Sequence, residues 1–566
     1  MEGKSSTEKS DNTDKVPVKS EAELRADPGS YLASRFAQIQ NDHRSSTDFI
    51  RDALAADPEN LDLKRQYYQL LLIEGNVDEA LAVAKTITDE KALQSMATDV
   101  LNAVKLIKEK KYSESLPLIR ARDQGTLNSI MMPLLTGWTK IGAEMIRGPV
   151  TVEQIMGKDA KTDTPFVAYH LALMNDVLGH TKEASEFYAI ATKDPKKTPF
   201  RIIETAQNFY QRSGQADKAI ALIENAKEGG KTLSLGSVAK NAAAPIIHDA
   251  RDGVAELFYS IGSILYGVNA VEDEIVYLRM SLYLNPRFAA AQFLLAAGLE
   301  QTKNNTEAIK AYELIEKDSP LYLRGQVRIA QIEHERGDTQ AALEKLESIS
   351  RNPAYSEEAL LAKGDLLRDM ERFMEAASVY SKIIAEIKTA EPSDWVKFYA
   401  RGIAYERGGQ WPKAEADFKR ALELEPDQPD VLNYIGYTWL TMNRNLPEAK
   451  AMIENALRQR PNDAHIIDSM GWAYYLMGDF EQALEYLEQA VELMPGDVVT
   501  NEHLGDVYWR LGRKKEARFQ WERALIFKPD AKTKAAIEDK IKNGMAPFIA
   551  PAALPPASQK PNGTSL

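Results

Sequence analysis

The 566-residue sequence has no cysteine. This excludes disulfides, thiol nucleophiles and every Cys-ligated metal site, and leaves cytosol and periplasm equally open. Long apolar runs are also missing. No stretch of about 18 uncharged apolar residues occurs, so no transmembrane helix is expected. Residues 1–28 lack the apolar segment of a secretory signal. As it stands the sequence therefore predicts a cytoplasmic chain, or a periplasmic one if an upstream signal precedes it. Positive charge is in deficit, with 70 Lys and Arg against 83 Asp and Glu, net −13. An acidic surface repels phosphate backbones, which disfavours nucleic acid as a partner. Only seven histidines are present, at 43, 170, 180, 248, 334, 465 and 503. None forms HExxH or another metal-binding spacing, and no phosphate loop, nucleophile elbow or dinucleotide fingerprint occurs. The sequence argues against catalysis and predicts neither cofactor nor metal. His465 and His503 near Asp468 and Asp506 leave acid–base work or a labile metal as the minor reading, beside that of solvated polar residues.

What is abundant is helical periodicity. Between Asp468 and Asp497 the chain reads DSMGWAYYLMGDFEQALEYLEQAVELMPGD. Apolar residues recur there at steps of three and four, which marks two amphipathic helices. Gly478 permits the left-handed backbone that ends the first, Asp479 can cap the second, and Pro495 stops it. Gly471, Tyr474, Gly478, Ala483, Ala490 and Pro495 return as Gly505, Tyr508, Gly512, Ala517, Ala524 and Pro529, each 34 residues on. Gly402, Tyr405, Gly409, Ala414, Phe418, Ala421 and Pro426 keep the same spacing, and Gly436, Ala449, Ala456 and Pro461 keep it with one insertion.

This spacing resembles the tetratricopeptide-repeat (TPR) pattern. A Gly followed five residues later by Ala extends it to Gly75/Ala80, Gly179/Ala184, Gly214/Ala219 and Gly337/Ala342, with weaker copies between. The fold expected is all-α, a right-handed α-solenoid of about 14 TPR-like helical hairpins. The organisation expected is a disordered arm at 1–28, an N-terminal array at 29–228 irregular over 93–164, and an insert at 229–252. A C-terminal array at 253–530, a capping helix at 531–545 and a Pro- and Ala-rich disordered tail at 546–566 complete it.

The repeat residues are packing residues; function belongs to the face they leave free. On the first helices of the last four repeats the inward positions carry Tyr399, Ile403 and Glu406; Asn433, Tyr437 and Leu440; Asp468, Trp472 and Tyr475; and Glu502, Asp506 and Trp509. One reading makes this aromatic and acidic stripe a concave groove for a protein or peptide with apolar and Lys or Arg residues. The other has the rings covered by neighbouring repeats. A clamp for a chaperone's C-terminal carboxylate would need Lys and Asn where Asp468, Trp472, Glu502 and Asp506 stand, so it is absent.

Over about 393–530 the runs RGIAYERGGQWPKAEADFKRALEL, VLNYIGYTWLTMNRNLPEA, HIIDSMGWAYYLMGDFEQALEYLEQAV and NEHLGDVYWRLGRKKEARFQWERAL resemble an alphaproteobacterial, envelope-associated TPR family. The resemblance implies an exported protein without enzymatic activity, at odds with the missing signal. Two functions follow: a scaffold or adaptor using the groove, with envelope assembly as its setting, or an accessory subunit of an enzyme complex docking through 93–164 or 229–252. Oligomeric state stays open, including self-association through repeat faces.

Overall fold

The computed structural model describes residues 28–87, 98–119, 126–157, 164–195, 197–228 and 244–549. Most of the expected arm, residues 229–243 of the insert, and the tail beyond 549 lie outside them. Among the described residues all regular elements are helices, paired as fourteen antiparallel hairpins. The chain divides into two compact units, Met1–Ser356 and Glu357–Leu566.

One backbone device builds every hairpin. Seven of the inter-helix turns contain a glycine at positive φ: Gly75, Gly179, Gly214, Gly337, Gly409, Gly478 and Gly512, at 73° to 97°. The other seven put Asn41, Lys110, Glu144, Asn269, Lys303, Glu371 and Asn443 in the same left-handed region. A left-handed residue turns the chain and lets the last carbonyls of the first helix find amides. The poorly patterned segment 93–164 thus obeys the turn rule through Lys110 and Glu144, although it lacks the glycines that mark the turn elsewhere. Five residues after each turn glycine the alanine is buried, as at Ala80, Ala342 and Ala483. Asp479 caps its helix as expected, its carboxylate accepting from the Gln482 amide at 3.1 Å.

A second glycine, on the first helix, sets how close the two helices come. A Cβ on Gly471 would sit 2.6 Å from Leu487, and one on Gly402 2.5 Å from the Phe418 ring. Gly505 lies in the same way under Trp521, and Gly364 under Tyr380.

The N-terminal unit contains nine hairpins around one continuous core running from Ile50 to Ile332. Its hairpins do more than stack on sequence neighbours. The Leu61–Glu74 helix packs on Val271–Leu284, where Arg279 Nε donates to the Ile73 carbonyl at 3.0 Å. Asn304 Nδ2 donates to the Asn41 carbonyl at 3.0 Å. The Thr126–Gly142 helix packs on Ala250–Gly267, and a Cβ on Gly253 would lie 2.5 Å from the buried Trp138 ring. The expected break at 229–252 is therefore no boundary between arrays. Helices on both of its sides share one core, and the division falls instead between Ser356 and Glu357.

The C-terminal unit holds five hairpins and the Ala531–Asn543 helix. That helix buries Ile537 completely, as a cap should. Its Lys540 points in, toward Asp506.

Candidate functional site

In the C-terminal unit the first-helix stripe is covered by its own chain. Asp506 is buried and accepts from Lys540 Nζ at 2.7 Å and from the Trp521 indole at 2.9 Å. Glu502 accepts from the same ammonium at 2.7 Å. The cation that these carboxylates called for is thus supplied by the capping helix. Burial raises the pKa of Asp506, and the Lys540 charge opposes that rise.

One repeat earlier, Trp472 lies between two rings, stacked on Tyr475 at 4.5 Å and on His503 at 3.9 Å. His503 Nδ1 meets both oxygens of buried Asp468 at 3.1 Å. Burial disfavours the imidazolium, but the Asp468 charge and hydrogen bond, with Asp506 and Glu502 behind, outweigh it and hold His503 above its ordinary value. Tyr475 is buried, receives a hydrogen bond from Arg510 Nε at 3.1 Å, and meets Phe548 edge-on at 5.7 Å. Phe548 also closes on Phe480 at 5.0 Å, and Gly544 lies against Trp509. Residues 546–549, expected to begin a disordered tail, therefore cover the stripe.

Further back, Tyr399 is half-buried between Phe418 and Tyr434, and Glu406 accepts from the Tyr434 hydroxyl at 3.0 Å. Asn433 buries its Oδ1 without a partner, and Tyr437 lies 6.4 Å from the His503 ring. The rings of this stripe are largely lateral packing, the second of the two readings. His465 is exposed, whereas His503 is buried against Asp468. No cluster of metal-binding side chains occurs among the described residues.

An open pocket lies in the N-terminal unit, where the repeat pattern marked no site. It encloses about 650 Å³ between the first helices of four consecutive hairpins: Phe200–Arg212, Ala250–Gly267, Ala289–Gln301 and Tyr322–Glu335. One side is apolar, with Ile247, Tyr259, Phe288, Phe293 and Leu294. Tyr259 and Phe288 pack at 5.0 Å, and the Arg201 guanidinium covers the Phe288 ring at 4.7 Å. Arg201 is fixed by fully buried Glu256, with Nη2 donating at 2.8 Å, and by Glu204 at 2.8 Å. Glu256 also accepts from the Tyr169 hydroxyl at 2.8 Å. The other side carries the carboxamides Gln207, Asn208 and Gln211. These residues were legible in principle as inward positions of four successive first helices. The weak repeat match of this region hid that register, which was plain only in the last four repeats.

Tetratricopeptide-repeat profiles match residues 397–428 and 469–535. A TPR repeat-containing protein of Pseudomonas aeruginosa is 27% identical over 218 residues, 38% of this chain and 36% of that protein. Interferon-induced protein with tetratricopeptide repeats 2 of Cricetulus griseus is 30% identical over 101 residues, 17% of this chain and 21% of that one. The chain thus spans about a third or less of the length of these curated relatives. Among solved structures, the APC/C hetero-tetramer Cut9-Hcn1 matches with 13% identity and TM-score 0.39, over 93% of this chain and 98% of that chain. MamA matches with 22% identity and TM-score 0.25, over 31% of this chain and 96% of its own. The chain carries tetratricopeptide repeats within 397–428 and 469–535, and among the described residues its fold is an array of helical hairpins.

Proposed function

We propose that this protein is a non-enzymatic scaffold that holds a segment of a protein partner in the first-helix pocket of its N-terminal unit. Tetratricopeptide repeats suggest protein–protein interaction in general. The observation that carries the specific reading is the open pocket of about 650 Å³. It falls within the 300–1,000 Å³ of ligand-binding clefts. The equivalent surface at the C-terminal end is already filled by Lys540 and Phe548. Docking to a catalytic chain through 93–164 gains no support, because Met131, Leu134, Leu135 and Trp138 from that segment are buried in the unit's own core. Envelope assembly as the setting rests on the resemblance of residues 393–530 and is tested by fractionating the native cells.

The pocket is tested with a photo-crosslinking residue at Phe293, compared with the same residue at exposed Phe519. Partner crosslinks specific to position 293 that disappear when Ala290→Trp fills the pocket support the reading. Equal yields at both positions, or yields unmoved by Ala290→Trp, overturn it.

A further inference from the structure

We infer that this chain forms a two-fold dimer through the outer face of its first helix, Pro28–Ile39, the partner that fits the face being a second copy of the chain. Toward the following helix this element turns only small groups. Ser34 and Ala37 are buried there, and Ser34 Oγ donates to the Ser46 carbonyl at 3.0 Å. The large apolar residues are on the opposite side. Leu32 is 65% exposed, Phe36 65% and Ile39 72%, with Tyr31 beside them at 37%. At roughly 100° per residue the first three fall within an arc of about 60°. A helix of a folded array ordinarily turns such a stripe to its core. Terminal repeats ordinarily carry a polar outer face as well, and the Ala531–Asn543 helix exposes Lys532, Lys534, Glu538 and Asp539. The first hairpin does the reverse, and a contiguous apolar patch of this kind marks an interaction surface.

The order of the residues says which partner. Leu32 stands four residues before Phe36 and Ile39 three after it, the alternation of a coiled-coil seam. The stripe therefore reads almost alike in both directions. An antiparallel copy related by a two-fold axis at Phe36 sets Leu32 of each chain against Ile39 of the other, and the two Phe36 rings against one another. That self-complementarity is what an isologous contact requires.

Charge and area agree. Arg35 is the one charged residue of the helix, and its Nη1 donates to Gln38 Oε1 at 2.8 Å. A helix that lies on an anionic lipid surface carries several Lys and Arg along its polar face, which a single Arg does not supply. Large side chains cover ~150–250 Å² each, so the exposed parts of these four amount to roughly 450 Å² per copy. With apolar atoms making up about 65% of a homodimer interface, the pair buries ~1,400 Å² in all, within the ~1,200–2,000 Å² of specific complexes. Each dimer presents the pocket of the N-terminal unit twice, which doubles its valency toward a partner.

The test is sedimentation equilibrium of the full chain across the micromolar range. A monomer–dimer equilibrium is expected, and Phe36→Asp should weaken it by at least about a hundredfold, since the change counts twice across a two-fold axis. Phe36 is exposed in the single chain, so thermal unfolding of the variant should match wild type at concentrations where both are monomeric. The chain has no cysteine, which allows the axis to be located by oxidation. Phe36→Cys should give a disulfide-linked dimer and Phe519→Cys should not. A mixture of Leu32→Cys with Ile39→Cys chains should crosslink more than either alone. Dimers unmoved by Phe36→Asp, or a mixture that crosslinks no better than its components, overturn the inference. A full chain that stays monomeric overturns it as well. In that case, dimers that appear on removal of residues 1–27 assign the face to that segment, and Phe36-dependent flotation with phosphatidylglycerol vesicles assigns it to lipid.

Discussion

Glu274 makes the stability of the N-terminal unit depend on pH in a way that can be worked out. The carboxyl is fully buried on the Val271–Leu284 helix, against Gly298, and neither oxygen has a hydrogen-bond partner. Burial pushes its pKa up to about 8, from 4.5 for the exposed acid. Below pH 4.5 the group is neutral in both folded and unfolded chains and costs nothing by ionisation. As pH rises from 4.5 to 8 the unfolded chain ionises while the folded one does not, so stability is lost across that window and the full loss is reached above pH 8. At about 1.36 kcal/mol for each pH unit between the two values, the upper end of the loss is roughly 5 kcal/mol. The first turn of a helix favours a negative charge by up to about 1–2 kcal/mol, so we expect a loss of roughly 3–5 kcal/mol. Glu274→Gln keeps the shape and removes the ionisation. Guanidinium unfolding at pH 4 and pH 8, followed by hydrogen exchange in peptides from 250–284, should show variant and wild type nearly equal at pH 4. At pH 8 the variant should be more stable by the amount stated. Parallel pH profiles for the two proteins would refute the reasoning, because they would mean that the carboxylate has found a charge partner or water.

Four further outcomes rest on the same structure. Lys540→Met strands the Asp506 and Glu502 carboxylates and should destabilise the C-terminal unit by about 3–5 kcal/mol, read from denaturant melts. His503, held above its ordinary pKa by Asp468, contributes stability that is complete below pH ~6.5 and is lost as pH rises through the folded value; an NMR titration midpoint at or below 6.5 would refute this. Gly505→Ala pushes a methyl into Trp521 and should cost about 1–3 kcal/mol in thermal or denaturant unfolding. Lys303→Gly and Glu371→Gly relieve left-handed turns at φ 59° and 58° and should each stabilise by about 0.5–1 kcal/mol in the same melts.

The hairpins were legible because their determinants are local. A turn glycine, an alanine five residues on and a proline after the second helix all act within 34 residues, and each position has one physical task. Where the task was done by another residue type, the pattern went silent although the geometry did not change. Lys110 and Glu144 adopt the left-handed turn at φ 59° and 56° without advertising it. The closure of the N-terminal unit was not legible for a different reason. Arg279 reaching the Ile73 carbonyl joins positions 206 residues apart, and nothing in a 34-residue period encodes which distant hairpins will meet. Gly253 beneath Trp138 had a signal, a glycine inside a helix, but its partner lay in the segment with the poorest pattern.

The same separation of local from distant explains the stripe in the last repeats. Reading Asp468, Glu502 and Asp506 as carboxylates awaiting a cation was correct chemistry applied to an incomplete neighbourhood. Lys540 stands 34 residues beyond Asp506, one repeat length on, and so arrives where the next repeat's first helix would present a side chain. A solenoid ends by having its last inward face answered from within the chain. The acids and rings there are consequently evidence of termination, as Phe548 over Tyr475 also argues. Unanswered polar groups are the better guide to a ligand. By that criterion Asn433, whose Oδ1 is buried without a partner, outranks the paired acids of the C-terminal stripe.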